Sequence, residues 1–224
     1  MSRFRNQRNQ SIHFLNFLYI VPSLYTYLKF RIFKKLNFPI VNWDTIKIFN
    51  ILSKIKKLKI LEMGSGFSTL WWQKKNIKSL TSVETNYDWY IKIKKQLKNS
   101  KKINFLFYKK RAEYKIQKLR YDLVIVDAYE RFEDLKLCLK LIDKKNTIIY
   151  LDDSDNDSSF KLNSKIHKDM RLAENLLRKF AHENNHYILV TNNFSPAQMY
   201  VKEGMFSIPK KYIKNFKQLR KFAV

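Results

Sequence analysis

The residues best suited to hold a ligand are concentrated in one short run, Glu62-Met63-Gly64-Ser65-Gly66-Phe67-Ser68-Thr69. The chain has three glycines in 224 residues, and two of them lie here. A sequence so poor in glycine places it where the backbone needs it. Leu58, Ile60 and Leu61 ahead of Glu62, and the apolar stretch after Thr69, read as a buried strand turning sharply into a helix. Without a Cβ at Gly64 and Gly66, a ligand can lie against the backbone while N–H groups of the helix start point at it. The competing reading of a GxG pair is a tight strand–helix turn with no ligand.

Carboxylates recur at the ends of later apolar runs. Leu80-Thr81-Ser82-Val83-Glu84 reads as a strand closing on an acid, the position from which a carboxylate holds ribose hydroxyls in nucleotide-binding units. Tyr121 to Val126 is a second such run, closing on Asp127. Thr147 to Leu151 is a third, closing on Asp152 and Asp153. Strand ends on one rim of a parallel sheet are where open α/β folds take ligands. The absence of a third glycine, with Thr69 in its place, argues against a nicotinamide fingerprint.

Positioning these residues takes a regular alternation of elements. Hydrophobic patterning predicts helices over 44–56, 68–75, 88–98, 131–142 and 168–184, and strands over 58–62, 80–84, 103–107, 122–127, 147–151, 186–191 and 198–203. The order predicts an α/β fold, a Rossmann-like doubly wound sheet of about seven strands. The final pair has no helix between its members, so the last strand should run antiparallel. Residues 1–42 form an N-terminal basic and aromatic helical extension, and residues 43–224 the main domain. With 45% hydrophobic residues, one domain of this length can fill its core.

The motifs together resemble class I S-adenosylmethionine-dependent methyltransferases. Glu62 to Thr69 matches the first motif, Glu84 the second, Asp122 to Asp127 the fourth, and Ile148 to Asp153 the strand after it. The similarity runs from about Trp43 to about Phe206, and is strongest to a poorly characterised group marked by GSG.ST, TSVE and DDSD. The resemblance implies a cofactor site of Glu62, Gly64, Ser65, Gly66, Ser68, Thr69, Glu84 and Asp127. In it the glycines admit S-adenosylmethionine, Glu84 takes the ribose hydroxyls and Asp127 lines the pocket near the methyl group. Many family members carry a glycine where this chain has Ser68, which can still bond the methionine carboxylate or cap a helix. The reaction implied is methyl transfer to an oxygen or nitrogen of a small-molecule or glycan acceptor, with Asp127 or Asp152 taking the proton. His167 is a secondary candidate base.

The acidic loop from Asp152 to Asp157 has two surviving readings. A calcium loop is excluded by the missing glycine at its sixth position and glutamate at its twelfth. Resemblance to catechol O-methyltransferase implies a magnesium site at Asp127, Asp152 and Asp153, with Asp153 where that family has an amide. The alternative is a solvated loop with a helix N-cap.

A net charge of +26 attracts polyanions, yet Lys outnumbers Arg by 35 to 10, and Arg is the preferred reader of phosphate and guanine. The charge admits RNA as a partner without arguing for it. Cys138 is the only cysteine, so no internal disulfide forms, which fits a reducing cytoplasmic compartment. Its apolar helical setting suits packing, not the catalytic thiol of cytosine-C5 methylation. Arg3, Arg5 and Arg8 precede an aromatic stretch from Ile12 to Phe33 that ends in Lys34-Lys35. Polar interruptions exclude a membrane span. The segment either packs on the domain as a helical pair or substrate cap, or contacts a membrane surface through residues 1–35. The functional alternative is a basic RNA- or membrane-surface-binding protein on the same fold, without turnover.

Overall fold

The computed structural model describes residues 4–6, 8, 10–33, 38–157, 165–196 and 198–219. Arg3, Lys34, Lys35, Ala197 and the side chain of His167 lie outside the described residues. Among the described residues six α-helices, α1 (Ile20–Phe33), α2 (Trp43–Ile55), α3 (Phe67–Gln73), α4 (Tyr87–Lys94), α5 (Arg131–Leu141) and α6 (Lys165–Glu183), accompany seven strands. The strands are β1 (Lys59–Met63), β2 (Ser79–Glu84), β3 (Ile103–Phe107), β4 (Leu123–Val126), β5 (Ile148–Asp152), β6 (His186–Phe194) and β7 (Val201–Pro209). They form one sheet in the order β3-β2-β1-β4-β5-β7-β6. Strands β1 to β5 pair parallel, and β7 enters antiparallel between β5 and β6.

The two-residue period of the strands divides the core between two faces. On one face Ile60, Leu80, Leu123 and Ile125 meet Phe49 and Leu52 of α2 and Trp71 and Trp72 of α3. On the other, Leu61, Met63, Val124 and Val126 meet Leu135 and Cys138 of α5 and Leu177 and Phe180 of α6. Parallel strands buried on both sides explain why these segments read as continuous apolar runs rather than as alternating ones. Cys138 is fully buried, and its thiol is pushed up by that burial.

Helix starts are set by local caps. Asn42 accepts from Thr45 N at 2.9 Å, and Asn86 accepts from Trp89 N at 3.0 Å. Each cap fixes where its helix leaves the preceding strand or loop.

The N-terminal extension is a 3₁₀ turn, Phe14–Tyr19, running into α1, in place of a helical pair. It is inside out. Its buried residues are polar: Asn16 donates to Asn192 O at 2.9 Å, and Ser23 accepts from Trp43 Nε1 at 2.7 Å. Its apolar residues Phe14, Leu18, Val21, Tyr25, Ile32 and Phe33 are 62–74% exposed. No helix among the described residues is long and apolar enough to cross a membrane.

Candidate active site

The parallel pairing of β1, β2, β4 and β5 brings their C-terminal ends to one rim, and there a cleft of about 340 Å³ opens. Gly64, Ser65, Glu84, Trp89, Tyr114 and Asp127 are among the residues lining it. That volume is in the range of pockets that enclose a nucleoside-sized ligand.

The glycine loop is held from below and from the side. Gly66 N donates to Thr69 Oγ1 at 3.0 Å, and the Thr69 hydroxyl donates to Glu62 Oε2 at 2.5 Å. Ser82 Oγ donates to the same oxygen at 2.6 Å. Glu62 is fully buried; burial pushes its carboxyl up, and the hydroxyls of Ser68, Ser82 and Thr69 pull it back. Glu62, Gly66, Ser68 and Thr69 therefore stand behind the cleft wall, whereas Gly64, Ser65, Glu84 and Asp127 face the cleft.

Glu84 is the side anchor. Its Oε2 accepts from Ser65 N at 3.1 Å and Ser65 Oγ at 2.8 Å, and its Oε1 from Thr85 N and Asn86 N at 2.8 Å each. Four donors match the four lone-pair positions of a carboxylate. Of these donors only the Ser65 hydroxyl can rotate away and leave its place to a ligand hydroxyl. Trp89 Nε1 holds Ser65 O at 2.7 Å, so the indole forms one wall and braces the loop as well.

Beside the cleft the three aspartates gather, with one carboxylate oxygen from each of Asp127, Asp152 and Asp153 lying within 4.8 Å of the others. Two cations already stand among them. Lys202, on β7, places Nζ 2.9 Å from Asp152 Oδ2 and 2.9 Å from Asp153 Oδ1. Arg131, the first residue of α5, places Nη2 3.0 Å from Asp127 Oδ1 and 3.5 Å from Asp153 Oδ2. Asp152 is closed off, because Tyr150 OH donates to its other oxygen at 2.5 Å. Asp127 keeps 35% of its side chain exposed, at the floor of the cleft. Burial and the neighbouring Asp152 charge hold the Asp127 carboxyl well above the usual carboxylate range, against the pull of Arg131 and Lys202. Burial likewise raises Asp153, which sits at a positive φ of 53°.

Lys202, Arg131, Trp89 and Tyr114 were not singled out from sequence. The pair Lys202-Glu203 inside an otherwise apolar run, Val201 to Phe206, was a usable signal, since charges in a buried strand need partners. Phe194 and Ser195 are buried, and Phe194 packs edge-on to Phe4 at 6.1 Å.

No protein-family model matches the chain, and no curated protein matches it. Solved structures do. The O-methyltransferase TomG from Streptomyces achromogenes, in complex with SAM, is 14% identical over 84% of this chain and 88% of its own, with a TM-score of 0.58. Cofactor-bound Rv0187 from MTB is 15% identical over 84% and 90%, with a TM-score of 0.56. The O-methyltransferase from Bacillus cereus, in complex with SAH, is 13% identical over 74% and 79%, with a TM-score of 0.54. At such identities the likeness establishes a common fold.

Proposed function

We propose that this chain, which has the class I S-adenosylmethionine-dependent methyltransferase fold, is a methyltransferase using that cofactor on a small-molecule or glycan acceptor with an oxygen or nitrogen nucleophile. The observation that carries the reading is the Glu84–Ser65 clamp beside Gly64, at the rim between β1 and β2. Glu84 and Ser65 would hold the ribose hydroxyls. Gly64 would let the ligand approach the backbone, and Glu62, Gly66, Ser68 and Thr69 would keep the loop in shape. When bound, the cofactor supplies an electrophilic methyl group on a sulfonium. The chain's own work is to align the acceptor and remove its proton. Asp127 is the better placed of the two candidate bases, because it opens to the cleft while both oxygens of Asp152 are engaged. A magnesium ion at the three aspartates fits poorly, since Lys202 and Arg131 already pair with them.

Calorimetric titration of S-adenosylmethionine into the wild type and Glu84→Ala tests the reading. Micromolar binding by the wild type, lost in the variant, supports it. A folded wild type that takes up no cofactor overturns it and leaves the basic binding protein without turnover.

The exposed apolar face of the extension supports peripheral attachment to an anionic lipid surface. The exposed aromatic and aliphatic face of the 3₁₀ turn and α1 would enter the headgroup region. Between residue 1 and Asp44 there is no acidic residue, whereas Arg3, Lys29, Arg31, Lys34 and Lys35 are basic, Arg8 being paired with Glu174. A second copy of the chain would set this basic segment against another like it, so a negatively charged surface is the better complement. Sedimentation with phosphatidylglycerol-containing vesicles should deplete the wild type and spare Leu18→Asp/Val21→Asp. Equal recovery of both proteins, with concentration-dependent dimers of the wild type alone, would assign the face to self-association instead.

A further inference from the structure

We propose that Lys202 is a built-in counter-cation that takes the place of a divalent metal in the Asp127–Asp152–Asp153 cluster, so that the site operates without one. For turnover this rests on the methyltransferase reading; for metal exclusion it stands alone.

An ammonium group has three N–H donors. Lys202 donates to Asp152 Oδ2 at 2.9 Å and to Ile40 O at 2.8 Å, and its charge lies 2.9 Å from Asp153 Oδ1. Held by these three partners and only 5% exposed, Lys202 is a positioning residue. It fixes the rotamers of two carboxylates and ties them to the segment that leads into α2.

Charge points the same way. Lys202 and Arg131 set two positive charges against three carboxylates, which leaves one negative charge in the cluster. A magnesium ion seeks about six oxygen ligands at about 2.1 Å. To find them it would have to expel a buried ammonium from Asp152 and Asp153 and take Asp152 Oδ1 from Tyr150. Removing one partner of a buried ion pair is costly, because the other charge is left uncompensated.

The strand that brings Lys202 is built for the purpose. Lys202 and Gly204 are two residues apart on β7 and share a face. Gly204 pairs with Asp152 across the ladder, and a Cβ there would stand 2.6 Å from the Tyr150 ring. One face of β7 therefore supplies the cation for one oxygen of Asp152 and the space for the tyrosine that holds the other. Asp153, in its left-handed conformation, is kept there by Lys202 and Arg131 together.

The test is manganese titration of the full chain, followed by electron paramagnetic resonance. The wild type should bind no Mn²⁺ in the micromolar range. Lys202→Met should gain one site at least tenfold tighter than any in the wild type, and adding Asp127→Asn should abolish it. Lys202→Arg, which keeps the charge, should stay metal-free. A merely structural lysine would not produce that gain. One Mn²⁺ per wild-type chain, lost in Asp152→Asn, overturns the proposal, as does a folded Lys202→Met that gains nothing. Should Lys202→Met not fold, the wild-type titration decides alone. Failure of the methyltransferase reading would appear separately, as no S-adenosylmethionine binding by a metal-free wild type.

Discussion

Gly64 lies directly against the backbone of Asp127: a Cβ at residue 64 would stand 2.3 Å from the Asp127 carbonyl oxygen. Its φ of +89° is also one that side-chain-bearing residues rarely adopt. The glycine that reads as an opening for a ligand is thus required first by the crossing of the loops after β1 and β4. Gly66 differs, with a φ of 178° and nothing nearer its missing Cβ than the Trp89 ring at 4.0 Å.

Gly64→Ala should therefore lower stability by about 2–5 kcal/mol, from backbone strain and overpacking together. Gly66→Ala should cost less than about 1 kcal/mol. Urea denaturation of the two variants measures the contrast. Equal losses would mean that Asp127 yields to the new methyl group.

Glu84→Ala removes the acceptor for four donors, three of them backbone N–H groups. Cofactor affinity should fall at least tenfold, with a lower melting temperature even without ligand. Glu84→Gln, which keeps the shape but loses the charge and one pair of acceptor sites, should fall between the two. Calorimetry beside thermal denaturation separates the binding loss from the stability loss.

The strand–helix alternation was legible because strands buried on both faces and amphipathic helices leave unlike patterns in the sequence. Predicted and observed strands agree closely from β1 to β5, while β7 begins at Val201 rather than at residue 198. The acids at strand ends were legible for the same reason, since the end of a buried run is visible where polarity returns. The pairing of the cations was not. A charge in the apolar run of β7 is visible, but that Lys202 meets Asp152, 50 residues away, follows only from the insertion of β7 beside β5. Tyr114 reaches the cleft from the irregular stretch between β3 and β4, where no periodicity guides a reading.

Asp127→Asn should leave cofactor binding within a few-fold of wild type and lower the rate of methyl transfer by about 10²–10⁴-fold, the usual worth of a positioned base. Because burial and Asp152 hold the Asp127 carboxyl up, the wild-type rate should rise with pH through a value above the ordinary carboxylate range. Asp152→Asn, which breaks contacts to Tyr150 and Lys202, should instead show in the melting temperature. Single-turnover assays across pH check the first pair, and calorimetric melts the last.

His186 predicts a pH effect on stability away from the cleft. Its Nε2 meets Lys144 O at 2.8 Å and its Nδ1 meets Ser207 Oγ at 2.9 Å, which suits the neutral ring with the proton on Nε2. Burial lowers its pKa from the ordinary 6.5, more than the bonds to Lys144 and Ser207 restore it. As pH falls below about 6.5 the unfolded chain takes the proton first, so stability drops until the folded state is protonated too. Thermal melts between pH 7.5 and 5 should show a decline in the wild type that is smaller in His186→Gln. Parallel declines would remove His186 as the cause.

The place of β7 in the sheet has a consequence for synthesis. It is synthesised after β6, yet it belongs between β5 and β6 in the sheet. Until it arrives, Asp152 and Asp153 lack their ammonium partner and β5 presents an open edge. A nascent chain halted before Val201 would hold three carboxylates with Arg131 as their one cation beside unpaired strand backbone, an invitation to chaperones and to aggregation. The sheet is thus joined across β5, β7 and β6 only once β7 has been made, and the same insertion brings the aspartates their ammonium.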